Sequence, residues 1–252
     1  MEAIAAWLRR TGAPRLTAFS TNAVAATFTP LADALAAPNV APFLEELCLS
    51  RLRTQGLREL GRLLALGKLP RLRSLALYDA SITDLHLRAF LDDLRRGAGG
   101  LPGLEELVLY SPRWQRFATL DEEEAHWGVG SAGGLDGPRA FAEGLAAGSF
   151  PGLRRLEIYL DEDPEGVDAG ELLSEDEILL LLAAALAPAG RGGGGAPCGA
   201  SLEEVEVHNR VAPETLKALR MALPGMRVRA PVADGEGGGR GGLPAASLMR
   251  VG

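Results

Sequence analysis

Leucines recur at fixed offsets along this chain, and that recurrence limits the fold more than any other feature. The pattern Leu44-x-x-Leu47-x-Leu49 returns at Leu72, Leu75 and Leu77, and again at Leu104, Leu107 and Leu109. It continues at Leu153, Leu156 and Ile158, then at Leu202, Val205 and Val207. A degenerate copy, Leu16, Phe19 and Thr21, comes first. A proline stands two residues before the first leucine at Pro14, Pro42, Pro70, Pro102 and Pro151, and Pro224 holds that place before Met226. Pro14, Pro42 and Pro70 are spaced by 28 residues; later spacings are 32 and 49, and Ala200 replaces the last proline. Such self-similarity marks a stack of supersecondary units, none of which buries its own apolar face.

Each unit reads as a strand followed by a helix. The end of the leucine motif alternates with period 2, which predicts strands of about four residues. Proline fixes its own φ and restricts the residue before it to extended geometry, so it is expected to mark where each strand begins. Helical spacing follows. Leu57, Leu60, Leu63 and Leu64 form one stripe closed by Gly67. Leu87, Phe90, Leu91 and Leu94 form another between an N-cap at Thr83 and a stop at Gly97. Phe141 and Leu145 mark a shorter helix ending near Gly148. Ser174 and Glu177 make a capping box before an apolar helix over Ile178 to Ala187. Pro213 to Ala222 is the last helix. Residues 1–13 are expected to supply an amphipathic capping helix, because end units must cover an apolar face.

The motif resembles that of leucine-rich repeat proteins, in particular the long-repeat, ribonuclease-inhibitor-like class. The resemblance implies an α/β solenoid, curved, with parallel strands on the concave side and helices on the convex side. It covers a repeat domain of about six units over 14–232, with insertions near 111–137, 160–173 and 190–200. A Gly-rich tail over 233–252 is expected to be disordered. One family feature is missing: Leu52, Ala80, Pro112 and Asp161 stand where an asparagine usually follows the third leucine, and Asn209 is out of phase.

In a strand, alternate residues share a face. If the leucines point inward, the position after the third leucine points outward. That column reads Asn22, Ser50, Tyr78, Tyr110, Tyr159 and His208, and it takes all three tyrosines of the chain. With strands about 4.8 Å apart, the rings are expected to form a ridge. The same rings suit either an interface anchor or cross-strand packing. Neighbouring outward columns add Glu46, Glu106, Arg155, Glu157, Glu204 and Glu206, so the face is expected to grow more acidic toward the C-terminal end. The candidate binding residues are Tyr78, Tyr110, Tyr159, His208, Glu106, Glu157 and Glu206.

Other residue types carry weaker signals. His86, His126 and His208 lack metal-ligand spacing, and the acidic insertions at Asp121 to Glu124 and Asp161 to Glu165 lack calcium-loop spacing. Carboxylate runs of this kind ordinarily solvate a loop. Gly192 to Gly195 lacks the lysine and hydroxyl of a phosphate loop. Trp114 and Trp127 are expected to pin the first insertion. No nucleophile, base and orienter combine, so no enzyme activity, metal or cofactor is expected. A net charge of −7 disfavours nucleic acid and anionic membrane surfaces. The absence of an 18-residue apolar run predicts no membrane span, and Arg9 and Arg10 interrupt any leader-like stretch. Two cysteines, Cys48 and Cys198, predict no disulfide framework and fit an intracellular, cytoplasmic setting. The expected function is a protein-interaction scaffold whose partner carries a basic or amide-rich surface. Alternatives are a substrate-recognition adaptor of a ubiquitin ligase, disfavoured because no F-box-like module precedes the repeats, and a GTPase-activating protein, whose asparagine and arginine surface has no match here.

Overall fold

The computed structural model describes residues 2–21, 28–38, 40–50, 52, 54–78, 81–82, 84–97, 101, 103–110, 113–114, 136–147, 149–159, 176, 179–180, 182–183, 202–208, 211–223 and 225–231. The N-terminal helix α1 (Glu2–Thr11) leads into β1 (Ala18–Thr21), α2 (Thr29–Ala36), β2 (Glu46–Ser50), α3 (Thr54–Ala65) and β3 (Ser74–Tyr78). After β4 (Ser81–Ile82) come α4 (Asp84–Arg96), β5 (Glu106–Tyr110), β6 (Arg113–Trp114), α5 (Asp136–Ala146) and β7 (Arg155–Tyr159). The chain continues through β8 (Glu204–Val207), α6 (Pro213–Ala222) and β9 (Arg227–Arg229).

Among the described residues seven strands form one open sheet in the order β1-β2-β3-β5-β7-β8-β9, every neighbouring pair parallel. The two short strands β4 and β6 pair separately. A parallel neighbour needs a crossover, and crossovers share one hand. Strands that add in chain order therefore place their helices on one side. The helix contacts agree, running α1–α2, α2–α3, α3–α4 and α4–α5. The result is a layer of helices on a single parallel sheet, an arrangement compatible with a solenoid.

Register keeps the repeats in phase. Leu47, Leu75, Leu107, Leu156 and Val205 are successive partners across the sheet. So are Leu49, Leu77, Leu109, Ile158 and Val207. All ten are at most 3% exposed. Burying each contributes about 1.5–3 kcal/mol, and a one-residue slip would turn the whole set to solvent. On the helix side Leu77, Leu107 and Leu109 share the lining of a small apolar void with Leu57, Leu87, Phe90 and Phe141.

The prolines act differently from expectation. The amides of Leu16, Leu44, Leu72 and Leu153 donate to the carbonyls of Ala13, Ala41, Leu69 and Phe150, three residues back. Pro14, Pro42, Pro70 and Pro151 are thus the second residue of a tight turn, where a fixed φ near −65° is wanted. They turn the chain from helix to strand rather than beginning the strand itself. The same bond joins Leu104 to Leu101 and Met226 to Leu223, where Gly225 takes φ 90°.

The expected helices over Leu57–Leu64, Leu87–Leu94, Phe141–Leu145 and Pro213–Ala222 are present, and Gly67 ends α3 with φ 62°. Helix α1 buries Ala5 and Leu8 and packs against α2. Asp176, Leu179, Leu180, Leu182 and Ala183 are helical, and the Asp176 carboxylate accepts from the Ala212 amide at the start of α6. Thr83, Gly148, Ser174 and Glu177 lie outside the described residues, as does most of each insertion and all of 233–252. Helix α2 and strand β9 were not anticipated.

Gly97 owes its identity to packing. A Cβ there would come 2.5 Å from the Ala65 carbonyl oxygen and 2.7 Å from its Cα, both backbone atoms of α3. Gly97→Ala is therefore expected to force α3 and α4 apart and lower stability by about 1–3 kcal/mol, read as a shift in the denaturant midpoint.

Candidate functional site

The sheet face away from the helices carries three outward rows that cross the strands. The first runs Ala18, Glu46, Ser74, Glu106, Arg155, Glu204 and Arg227. The second runs Ser20, Cys48, Ala76, Val108, Glu157, Glu206 and Arg229. The third holds Ser50, Tyr78, Tyr110 and Tyr159 in register, and the His208 amide extends the ladder by donating to Ile158 O at 3.0 Å.

The four rings form one continuous ladder. Tyr78 and Tyr110 have centroids 5.2 Å apart, Tyr110 and Tyr159 4.8 Å, each pair tilted by less than 40°. Tyr159 and His208 lie parallel at 3.6 Å. The two tyrosine–tyrosine spacings are close to that of neighbouring strands, so the backbone register sets their stacking, while His208 lies closer than the strand spacing. All three tyrosines are half-buried. Burial raises the Tyr78 and Tyr159 phenols above their ordinary value, with nearby Glu157 adding to the effect in both. Both remain neutral hydrogen-bonding tips at physiological pH.

Beside the ladder, Arg155 gathers three carboxylates from three strands. Its guanidinium lies 3.3 Å from Glu106 Oε1, 2.6 Å from Glu157 Oε1 and 2.7 Å from Glu206 Oε2. Glu106 also accepts from Ser74 Oγ at 2.8 Å, and Glu157 from the Tyr159 hydroxyl at 3.4 Å. His208 Nε2 approaches Glu206 Oε1 at 3.4 Å and Glu157 Oε2 at 3.9 Å, linking the ladder to the ion cluster.

These neighbours divide the carboxylates. Glu157 is only 9% exposed, and its burial raises its pKa more than Arg155 lowers it. Burial also works against ionised Glu206, but the Arg155 hydrogen bond, His208 and Arg229 together hold its pKa below the usual value. His208 is pushed down by burial, against the pull of Glu206, and is neutral at pH 7. The Glu206 hydrogen bond raises the Arg155 pKa further.

All seven expected binding residues thus meet on one face: Tyr78, Tyr110, Tyr159 and His208 as the ladder, Glu106, Glu157 and Glu206 as the cluster. The expected acidic gradient stops short. Strand β9 adds Arg227 opposite Glu204 and Arg229 opposite Glu206, and Arg229 Nε lies 2.9 Å from Glu204 Oε1. The phase of Pro224 and Met226 with the earlier repeats was the signal for both arginines. The organising place of Arg155 and the Ser74 contact were also missed.

His86 lies on α4 and Trp114 on β6; His126, Trp127 and Cys198 are outside the described residues, and Cys48 is free. Among the described residues no His, Cys, Asp and Glu group could hold a metal ion. No described helix is long and apolar enough to cross a membrane. A scan against protein-family models gives no match, and neither does a search of curated proteins.

Proposed function

We propose that this chain is a leucine-rich repeat-type scaffold that binds another protein on the open face of its sheet. The observation that carries the reading is the continuous Tyr78–Tyr110–Tyr159–His208 ladder set against the Arg155 carboxylate cluster. Tyrosines contribute large contact area at low entropic cost and keep a polar tip, the properties of interface anchors. They stand on strands rather than loops, so little ordering is lost on association. The adjacent carboxylates favour a partner with a basic or amide-rich surface.

Capture from native extract with the wild-type chain, and with a Tyr78/Tyr110/Tyr159→Ala variant beside it, tests the reading. The half-buried rings can be removed without opening the leucine core, so the variant is expected to stay folded by circular dichroism. Partner retention is expected to fall about tenfold or more, since anchor truncations cost roughly 2 kcal/mol each. A folded variant that holds its partner at the wild-type level would overturn the proposal.

A further inference from the structure

The middle row of the open face specifies what sort of side chain a partner would place there, an inference that rests on the binding reading above. From β2 to β5 this row is small: Cys48, Ala76 and Val108 in register. Two residues further along the strands stand Tyr78 and Tyr110; two residues back stand Ser74 and Glu106. Two-residue steps put such rows about 6.6 Å apart. The small row is therefore the floor of a trough, with tyrosines along one wall and Ser74 and Glu106 along the other. On β7 its next residue is Glu157, which closes the end.

Charge at that end is unbalanced. Within ion-pairing distance Glu106, Glu157 and Glu206 share the single guanidinium of Arg155; Arg229 acts on Glu206 only from farther off, and His208 stays neutral. The other arginines of this face, Arg227 and Arg229, sit on β9 at the far edge, and Arg229 pairs with Glu204. Arg155 itself shows the chemistry the carboxylates accept: one planar cation bridging several oxygens. Elsewhere on the surface Arg71 lies over the Phe43 ring at 4.4 Å, the other half of the same preference.

We propose that the trough seats an arginine side chain from an extended segment of the partner protein. Its methylene stem lies on Ala76 and Val108 beside the tyrosine rings, and its guanidinium meets Glu106 and Glu157. Long cationic side chains bury their stems on apolar surface while the head stays polar. Arginine fits better than lysine because its planar fork pairs with carboxylates and packs on rings.

The test uses immobilised pools of random nonapeptides with Arg, Lys or Gln fixed at the central position, probed with the purified full chain. Arg pools are expected to retain the chain roughly 5- to 30-fold more than Gln pools, with Lys pools between. Val108→Arg supplies the side chain in cis from the solvent face of β5 and is expected to abolish the preference. Ala76→Arg fills the trough from β3 and gives the same readout should the first variant not fold. Equal retention of Arg and Lys pools, or of Arg and Gln pools, overturns the proposal. So does an undiminished preference in a folded trough-filled variant, which would place the basic peptides elsewhere on an acidic chain. If the tyrosine-stripped variant loses its native partner while the pools show no arginine preference, the binding face stands and the arginine assignment falls.

Discussion

Leu107→Ala is expected to destabilise the chain by about 3 kcal/mol, near the lower end of the range for buried leucine truncations. Leu107 is 1% exposed at the centre of the sheet, paired with Leu75 on one side and Leu156 on the other. It already borders a small apolar void shared with Leu57, Leu77, Leu87, Phe90, Leu109 and Phe141. Truncation enlarges that void instead of opening a site that neighbours can fill, and the cost grows with residual cavity volume. Leu107→Met, which nearly conserves volume, is expected to cost less than about 1.5 kcal/mol. Chemical denaturation of the two variants separates the effects. The α3–α4 and α4–α5 contacts join only neighbouring units, so a lesion at β5 is also expected to broaden the transition by uncoupling the two halves of the sheet. Equal midpoints for Leu107→Ala and wild type would mean that the stacked leucines do not carry the stability assigned to them.

The strands were legible because two independent signals coincide in them, a period-2 apolar pattern and a proline at constant phase. The same phase made the ring column legible: residues at one offset from aligned leucines must be neighbours across a parallel sheet. Helix α2 was not legible because its inner face is half alanine, Leu31, Ala32, Ala34 and Leu35, which gives a weak apolar stripe. Strand β9 is three residues long with two arginines, too short for periodicity to register. The roles of Pro14, Pro42, Pro70 and Pro151 depend on a hydrogen bond across the turn, and a proline before an extended run is compatible with either reading. Arg155 was assigned to the right face and still missed as the cluster's centre. Its three partners are 49, 2 and 51 residues away in sequence, and only the register brings them to one guanidinium. The burial of Glu157 has the same origin, since it depends on Arg155, Tyr159 and the flanking strands together.

Arg155→Met is expected to cost about 2–3 kcal/mol at pH 7. Removing one partner of a buried ion pair costs about 3–5 kcal/mol; the Arg155 side chain is 40% exposed, and water screening lowers the figure. What remains is three carboxylates from neighbouring strands with no cation between them. Glu157 and Glu206, both held down by Arg155, must then rise in folded-state pKa. Glu157 is already raised by burial with Arg155 in place. A carboxyl whose pKa is higher in the folded than in the unfolded state binds more protons when folded, so its contribution to stability grows as pH falls through the raised value and is lost as pH rises through it. The Arg155→Met penalty is therefore expected to be greatest at neutral pH and to shrink toward pH 4.5, near the unfolded value. Glu157→Gln alone removes a buried charge whose desolvation outweighs its attraction to Arg155; it is expected to raise stability by roughly 0.5–1 kcal/mol at pH 7, or about 1–4 °C in Tm. In the Arg155→Met background the same change should restore about half the loss, because it removes both the most buried charge and its repulsion from Glu106 and Glu206. Thermal melts of the four proteins from pH 4.5 to 8 form a double-mutant cycle that measures this coupling. A pH-independent Arg155→Met penalty, or strict additivity of the two changes, would mean that the guanidinium contributes packing alone and that the carboxylates do not depend on it.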